Sequence, residues 1–222
     1  MPRPISRPLQ TGAAAPRELR IIGGALRRSR LPILDRPGLR PTPDRVRETL
    51  FNWLGQRLDG WHCLDMFAGT GALGFEAASR GAAGVLLCEQ DATVAAALEA
   101  TRRRLKVEAA RVHRGDALAL PGLAAPAGGW HLVFVDPPWA LPLTEPALRA
   151  ARDALAADGL IYLESRERWD APRLAPLGLQ ALRHLRAGAV HAHLLAVAAG
   201  GRPEPSGHRA GSATAASPGS QA

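Results

Sequence analysis

His62-Cys63-Leu64-Asp65-Met66-Phe67-Ala68-Gly69-Thr70-Gly71-Ala72-Leu73-Gly74-Phe75-Glu76 is the stretch that decides the fold. It opens as a short, mostly apolar run, passes through a glycine-punctuated turn, and continues with helix formers at Leu73, Ala77 and Ala78. That is a strand, a tight loop and a helix, the first half of a βαβ unit. Gly69 and Gly71 carry no Cβ where the backbone must turn sharply and where a ligand can come close. The first amides of the helix point outward with partial positive charge, which suits a carboxylate or a phosphate. The spacing Gly69-x-Gly71-x-x-Gly74 matches the dinucleotide fingerprint, with Glu89 as an acid closing the next apolar run. A glycine turn in an α/β protein without a ligand shows the same spacing, so the fingerprint by itself chooses nothing.

A second stretch, Val133-Phe134-Val135-Asp136-Pro137-Pro138-Trp139, narrows the choice. Hydride transfer has no use for an acid, two prolines and an aromatic ring at the mouth of a later strand. Methylation of an amino group on a planar base does. The acid and a backbone carbonyl can accept both N–H bonds of the amine, and proline fixes the backbone without offering a competing donor. The ring can stack on the base.

Toward the N-terminus, residues 1–18 are rich in Pro, Arg and Ala without periodicity and predict a flexible basic arm. Leu19 to Leu31 predicts two short strands around Gly23-Gly24, decorated by Arg20, Arg27, Arg28 and Arg30. A helix follows, with Thr42 as N-cap, Pro43 at the first helical position and Asp44 at the positive end. Val46, Leu50, Trp53 and Leu54 form its apolar stripe, with Arg45 and Arg47 away from it. Residues 19–58 therefore read as a hairpin and a capping helix placed before a main domain over 59–199.

Toward the C-terminus, strands are predicted at Gly84–Glu89, Arg111–Ala117, His131–Asp136 and Gly159–Glu164, with helices at about 92–106 and 143–157. Residues 179–198 give two β-like runs joined at Arg186-Ala187-Gly188, a hairpin closing the sheet. Residues 200–222 hold Gly, Ser, Ala, Pro and polar groups and predict a disordered tail. Alternating strands and helices imply an α/β fold with a doubly wound, mostly parallel sheet. Asp65, Glu89, Asp116 and Asp136 would gather at the carboxyl ends of its strands, where such sheets bind ligands.

The chain's 222 residues and 46% hydrophobic content allow one sizeable α/β domain with extensions. There is no apolar run of about 18 residues and no apolar leader after Met1-Pro2-Arg3-Pro4, so a cytoplasmic protein with no membrane span is expected. Cys63 and Cys88 fall within predicted strands and read as buried thiols. His191 and His193 alternate with Leu194 and Val197 as one face of an edge strand, and no further ligands accompany them, so no metal is expected. The net charge is +8, and residues 1–50 carry eleven arginines against Glu18, Asp35, Asp44 and Glu48, a balance of +7. Biased composition explains why Lys106 is the sole lysine, but not why the excess charge sits in one segment. That segment points to nucleic acid.

Together, Arg20-Ile21-Ile22-Gly23-Gly24, the run Arg40-Pro41-Thr42-Pro43-Asp44-Arg45-Val46-Arg47-Glu48-Thr49-Leu50-Phe51-Asn52-Trp53-Leu54, the glycine loop and Asp136-Pro137-Pro138-Trp139 resemble the class I S-adenosylmethionine-dependent methyltransferases. More narrowly, they resemble the bacterial 16S ribosomal RNA guanine-N2 methyltransferases of the RsmD type, over about Arg20 to Val197. The family more usually has Phe or Tyr where this chain has Trp139. The resemblance implies a Rossmann-like, seven-stranded sheet with the hairpin-plus-helix extension, acting on N2 of guanine 966 in 16S ribosomal RNA, within the small ribosomal subunit or an assembly intermediate, as a monomer. It implies that Asp65, Gly69 and Gly71 line the methionine end of S-adenosylmethionine, with Phe67 also in the cofactor site. Glu89 would take the ribose hydroxyls, and Asp116 with the Ala117 amide would take adenine. Asp136, Pro137 and Trp139 would serve the target base, while Arg20, Arg27, Arg28, Arg30, Arg40 and Arg45 would serve RNA phosphates.

Three alternatives remain at this level. The acid-Pro-Pro-aromatic device serves any exocyclic amine, including adenine N6 or cytosine N4 of DNA or RNA. A ribosome-assembly factor could bind RNA without catalysis, although an intact cofactor loop beside Asp136 argues against it. A dehydrogenase is the weakest reading.

Overall fold

The computed structural model describes residues 18–36 and 42–200; the expected arm up to residue 17, Arg40 and the tail from 201 onward lie outside the described residues. Strands β1 (Glu18–Arg20) and β2 (Arg30–Pro32) pair antiparallel with Leu19 opposite Leu31, so Glu18 belongs to the hairpin and not to the arm. Both leucines are buried, and the arginines at 20, 27, 28 and 30 are exposed, as expected.

Helix α1 runs Asp44–Trp53, one residue later than expected, and Thr42 does not cap it. Pro43 holds ψ at 145°, an extended value, so helical geometry cannot start before Asp44. The Thr42 carbonyl instead accepts from Arg47 Nε at 3.3 Å. Arg47 is a second correction. It does not lie away from the apolar stripe but is wholly buried beside Val46, Leu50 and Phe51. It is held there by acceptors on three segments, including Asp44 Oδ1 at 2.7 Å and the Arg20 carbonyl at 2.9 Å.

Next come β3 (His62–Asp65), α2 (Ala72–Ser79), β4 (Gly84–Glu89), α3 (Ala92–Arg104), β5 (Ala110–Arg114) and the one-turn α4 (Leu120–Leu123). They are followed by β6 (Trp130–Val135), α5 (Thr144–Asp153), β7 (Leu155–Ser165), the short α6 (Ala171–Leu174), β8 (Leu179–Ala187) and β9 (Val190–Val197). Seven strands form one sheet in the order β5-β4-β3-β6-β7-β9-β8, parallel except where β9 pairs with β7 and β8. This is the mostly parallel, doubly wound sheet expected from the sequence.

Alternation along the central strands fills two cores. Cys63, Phe134 and Tyr162 face the layer of the hairpin, α1, α2 and α3, while Leu64, Val133, Val135, Ile161 and Leu163 face α5 and the segments around α4 and α6. Strands buried on both faces read as near-continuous apolar runs, which is why β4 and β6 were legible.

Boundaries differ where tertiary pairing overrides propensity. Residues 155–157, Leu-Ala-Ala, read as helix, but they belong to the start of β7. The Trp130 amide donates to the Ala154 carbonyl at 2.9 Å, and Leu155 pairs with Trp130. A Cβ on Gly129, at φ +89°, would stand 2.5 Å from the Ala156 nitrogen, so this approach needs a glycine. Strand β5 ends at Arg114, short of Ala117, and the Gly115 amide donates to the Glu89 carbonyl at 3.2 Å. His191 and His193 do not sit on an edge strand: β8 covers β9, and His193 is completely buried. Cys63 and Cys88 are buried thiols. Among the described residues, no helix is long and apolar enough to cross a membrane.

Candidate active site

The chain leaves β3 and turns one way to β4 and β5; after β6 it turns the other way to β7. The crevice between β3 and β6 is thus a topological switch point, where ligands of open α/β sheets bind. The glycine loop closes one side of it, and Asp136, the residue after β6, stands on the other.

The loop is fixed by acids from two strands. Gly69 and Gly71 have φ of +50° and +76°, left-handed values that favour glycine. The Gly71 amide donates to the Ala68 carbonyl at 2.6 Å, and the Ala68 amide to the Cys88 carbonyl at 2.9 Å. Asp65 is 2% exposed, and its Oδ2 accepts from the Gly74 amide at 3.1 Å. Burial pushes its carboxyl up to about 7; Glu89 and Glu164 add to the rise, and the Gly74 amide opposes it. At the end of β4, Glu89 Oε2 accepts from Gly69 at 3.1 Å and Oε1 from Asp91 at 2.9 Å. Phe67 is half-buried against the core on the α5 side.

Asp116 is exposed beyond β5, with Oδ1 accepting from the Leu118 amide at 2.9 Å, and Ala117 is half-buried next to it. Asp116, Glu89, Asp65 and Asp136 therefore follow the strand order across four neighbouring strands. At about 4.8 Å per strand, the row is on the order of 14 Å long. A nucleoside with an amino-acid arm fits that length, with amine, hydroxyl and ammonium donors meeting acceptors in turn. A carboxylate has about four lone-pair sites. Glu89 uses two on backbone amides and keeps room for two hydroxyls.

On the other side, Pro137 is buried, Pro138 is exposed with its carbonyl accepting from Leu141 at 3.0 Å, and Trp139 is half-buried. The Arg166 guanidinium lies over the Trp139 ring, 5.7 Å from its centroid. Next along the sheet, the Tyr162 hydroxyl donates to the buried Glu164 at 2.8 Å, and burial with that carboxylate drives the phenol well above its ordinary range. Glu164, Tyr162 and Arg166 were missed as site neighbours. Their signal was present, since Glu164 closes the strand after Asp136 just as Glu89 closes the strand after Asp65.

Of the expected RNA-facing arginines, Arg40 lies outside the described residues, and Arg27 and Arg28 stand away from this edge. The Ala25 amide donates to the Ser79 carbonyl at 2.7 Å, which seats the turn carrying Arg27 and Arg28 at the last residue of α2. That is about 12 Å of helix away from the glycine loop. Arg30 is exposed and paired with Glu18 at 3.0 Å, and Arg20 and Arg45 are exposed.

The sheet order, the glycine loop at its switch point and the acid-Pro-Pro-aromatic turn opposite define a class I S-adenosylmethionine-dependent methyltransferase. The family model named conserved hypothetical protein 95 matches residues 19–196, and the chain belongs to that family. It is 48% identical over 150 residues to the ribosomal RNA small subunit methyltransferase D of Escherichia coli strain K12, covering 67% of this chain and 75% of that one. The protein of the same name from Haemophilus influenzae is 41% identical over 177 residues, 78% of this chain and 91% of the relative. Among solved structures, the Escherichia coli protein yhhF, described as a methyltransferase, superimposes with a TM-score of 0.69 at 42% identity, covering 82% of this chain and 99% of the other.

Proposed function

We propose that the chain methylates the N2 amino group of guanine 966 in 16S ribosomal RNA, as a monomer in the cytoplasm. The observation that carries the reading is Asp136-Pro137-Pro138-Trp139 standing at the switch point, directly across from the glycine loop. The small-subunit ribosomal RNA named in the relatives supports the substrate class.

S-adenosylmethionine supplies an activated sulfonium methyl when bound. The chain's own work is alignment and exclusion of water. Glu89 and Asp116 hold hydroxyl and amine donors, and the amides opening α2 receive a carboxylate. Guanine N2 is a poor nucleophile because its lone pair is delocalised into the ring. The Asp136 carboxylate and the Pro137 carbonyl accept its two N–H bonds and turn the lone pair toward the methyl. They also stabilise the positive charge that develops on nitrogen. Trp139 offers a ring face to a base drawn out of its stack, and Arg166 covers the other face.

The test is to map methylated nucleotides in small-subunit ribosomal RNA from cells with and without the protein. Loss of one N2-methylguanine is expected. A mark lost instead from adenine N6 or cytosine N4 would replace the guanine reading, and an unchanged map would remove it.

A further inference from the structure

We propose that the segment after β7, residues 166–168, and the tip of the β8–β9 hairpin form a cationic corner that grips the RNA backbone beside the target base. This rests on the RNA-methylating reading above and names where the phosphates lie.

Topology places the corner. β7 is parallel to β6, so Arg166 and Arg168 leave the sheet at the edge that carries Asp136. Ser165 pairs with His191, and His191 pairs in turn with Arg186, which brings the hairpin tip to the same edge. Arg166 lies over the Trp139 ring, joining the corner to the base pocket. Arg168 acts electrostatically on His184, His191 and His193, and Arg186 acts on His191, which shows how closely these groups cluster.

The charge is uncompensated. Several arginines elsewhere on the surface are matched, Arg102 and Arg103 with Glu99, Arg149 with Glu145, and Arg152 with Asp153, whereas the corner's arginines stand next to the proposed base pocket without such partners. In the corner, Glu167 is drawn off by Arg173 at 2.7 Å. Among the described residues, exposed Arg168, Arg183 and Arg186 have no carboxylate within ion-pair distance, and Arg183 and Arg186 bond only to backbone carbonyls. Exposed guanidinium groups without acids suit phosphate, which they bind bidentately. The turn bearing Arg27 and Arg28 is seated at the far end of α2, farther from the base pocket than the corner that Arg166 joins to Trp139.

The experiment compares wild type with the Arg168→Gln/Arg186→Gln double variant on ribosomal RNA containing the target and on assembled small subunits. Expected results are a KM for RNA raised at least tenfold near 0.1 M salt, with kcat and S-adenosylmethionine affinity unchanged. The slope of log affinity against log salt should fall by about 1.5 for two lost phosphate contacts. Arg168→Lys/Arg186→Lys should restore the slope. An unchanged KM and slope on both substrates would overturn the proposal. So would a defect seen only on assembled subunits with a wild-type slope on RNA alone, which would reassign the corner to a ribosomal protein. Failure of the underlying reading looks different, since the wild type itself would then methylate neither substrate.

Discussion

Glu76→Gln should cost about 4 kcal/mol of stability and loosen the hairpin before anything else. Glu76 is completely buried, and its two oxygens serve four groups on three segments. Oε1 accepts from the Gly23 amide at 2.8 Å and pairs with Arg80 at 2.8 Å. Oε2 accepts from the Ile22 amide at 2.8 Å and pairs with buried Arg47 at 3.4 Å. Glutamine keeps one acceptor oxygen but turns an NH2 toward groups that are all donors. Breaking a buried ion pair on one side costs about 3–5 kcal/mol, and an orphaned buried donor about 1–3. The two overlap at one carboxylate and do not add, which leaves the figure near 4.

For a domain of this size, about 4 kcal/mol lowers Tm by roughly 8–16 °C. Calorimetry measures that, and hydrogen exchange locates it. Amides of residues 18–34 should exchange faster than those of β3, β4 and β6, because Glu76 is the hairpin's anchor to α2. A Tm drop below about 3 °C, with hairpin exchange unchanged, would refute the argument that this carboxylate staples the N-terminal segment to the sheet.

Glu89→Ala should weaken S-adenosylmethionine binding by about 1.5–3 kcal/mol, the scale for hydrogen bonds to a charged group, as read by titration calorimetry. Asp136→Ala should abolish most methyl transfer while cofactor affinity stays near wild type, and Trp139→Phe should keep much of the activity; full activity in Asp136→Ala removes the amine-methylation mechanism. Asp65→Asn should make stability less dependent on pH. The Asp65 carboxyl sits at about 7 against an ordinary 3.8, so its contribution is complete below the ordinary value and is lost as pH rises through 7. The variant should match wild type near pH 4 and exceed it near pH 9 by up to about 4 kcal/mol, and urea titrations giving the same difference at both ends would contradict this.

The parts legible in the sequence are those whose chemistry is local. The glycine loop, β4 ending on Glu89, and Asp136 ahead of two prolines each follow from neighbours within a few positions. Arg47 was misread because helical periodicity sees only a charged residue. Its partner Glu76 lies 29 positions on, and only their juxtaposition makes burial affordable. His193 was misread for a similar reason. Whether its strand is an edge depends on β8 folding outside β9, which no local pattern records. Glu164's place at a strand end is legible, but its bond with Tyr162 is not, because it joins residues two apart on one strand, where polar side chains read as ordinary alternation.

Asp65 is a strand-end acid whose burial bears on the role the resemblance implies for it. The resemblance implies that it lines the cofactor, and in the structure its carboxyl accepts from the Gly74 amide and carries a raised pKa. The consequence concerns α2, whose first amides carry partial positive charge. A fully ionised Asp65 beneath that helix end would cancel much of the field. Burial, reinforced by Glu89 and Glu164, keeps a proton on Asp65 over much of the range up to neutrality. The field is then left for a carboxylate arriving from outside. Under the proposed function, Asp65 would position the loop by its hydrogen bond, while Glu89, whose oxygens accept from the Gly69 and Asp91 amides, would do the binding. The two acids close adjacent parallel strands, Asp65 buried and Glu89 half-buried, and that difference in burial would divide the work between them.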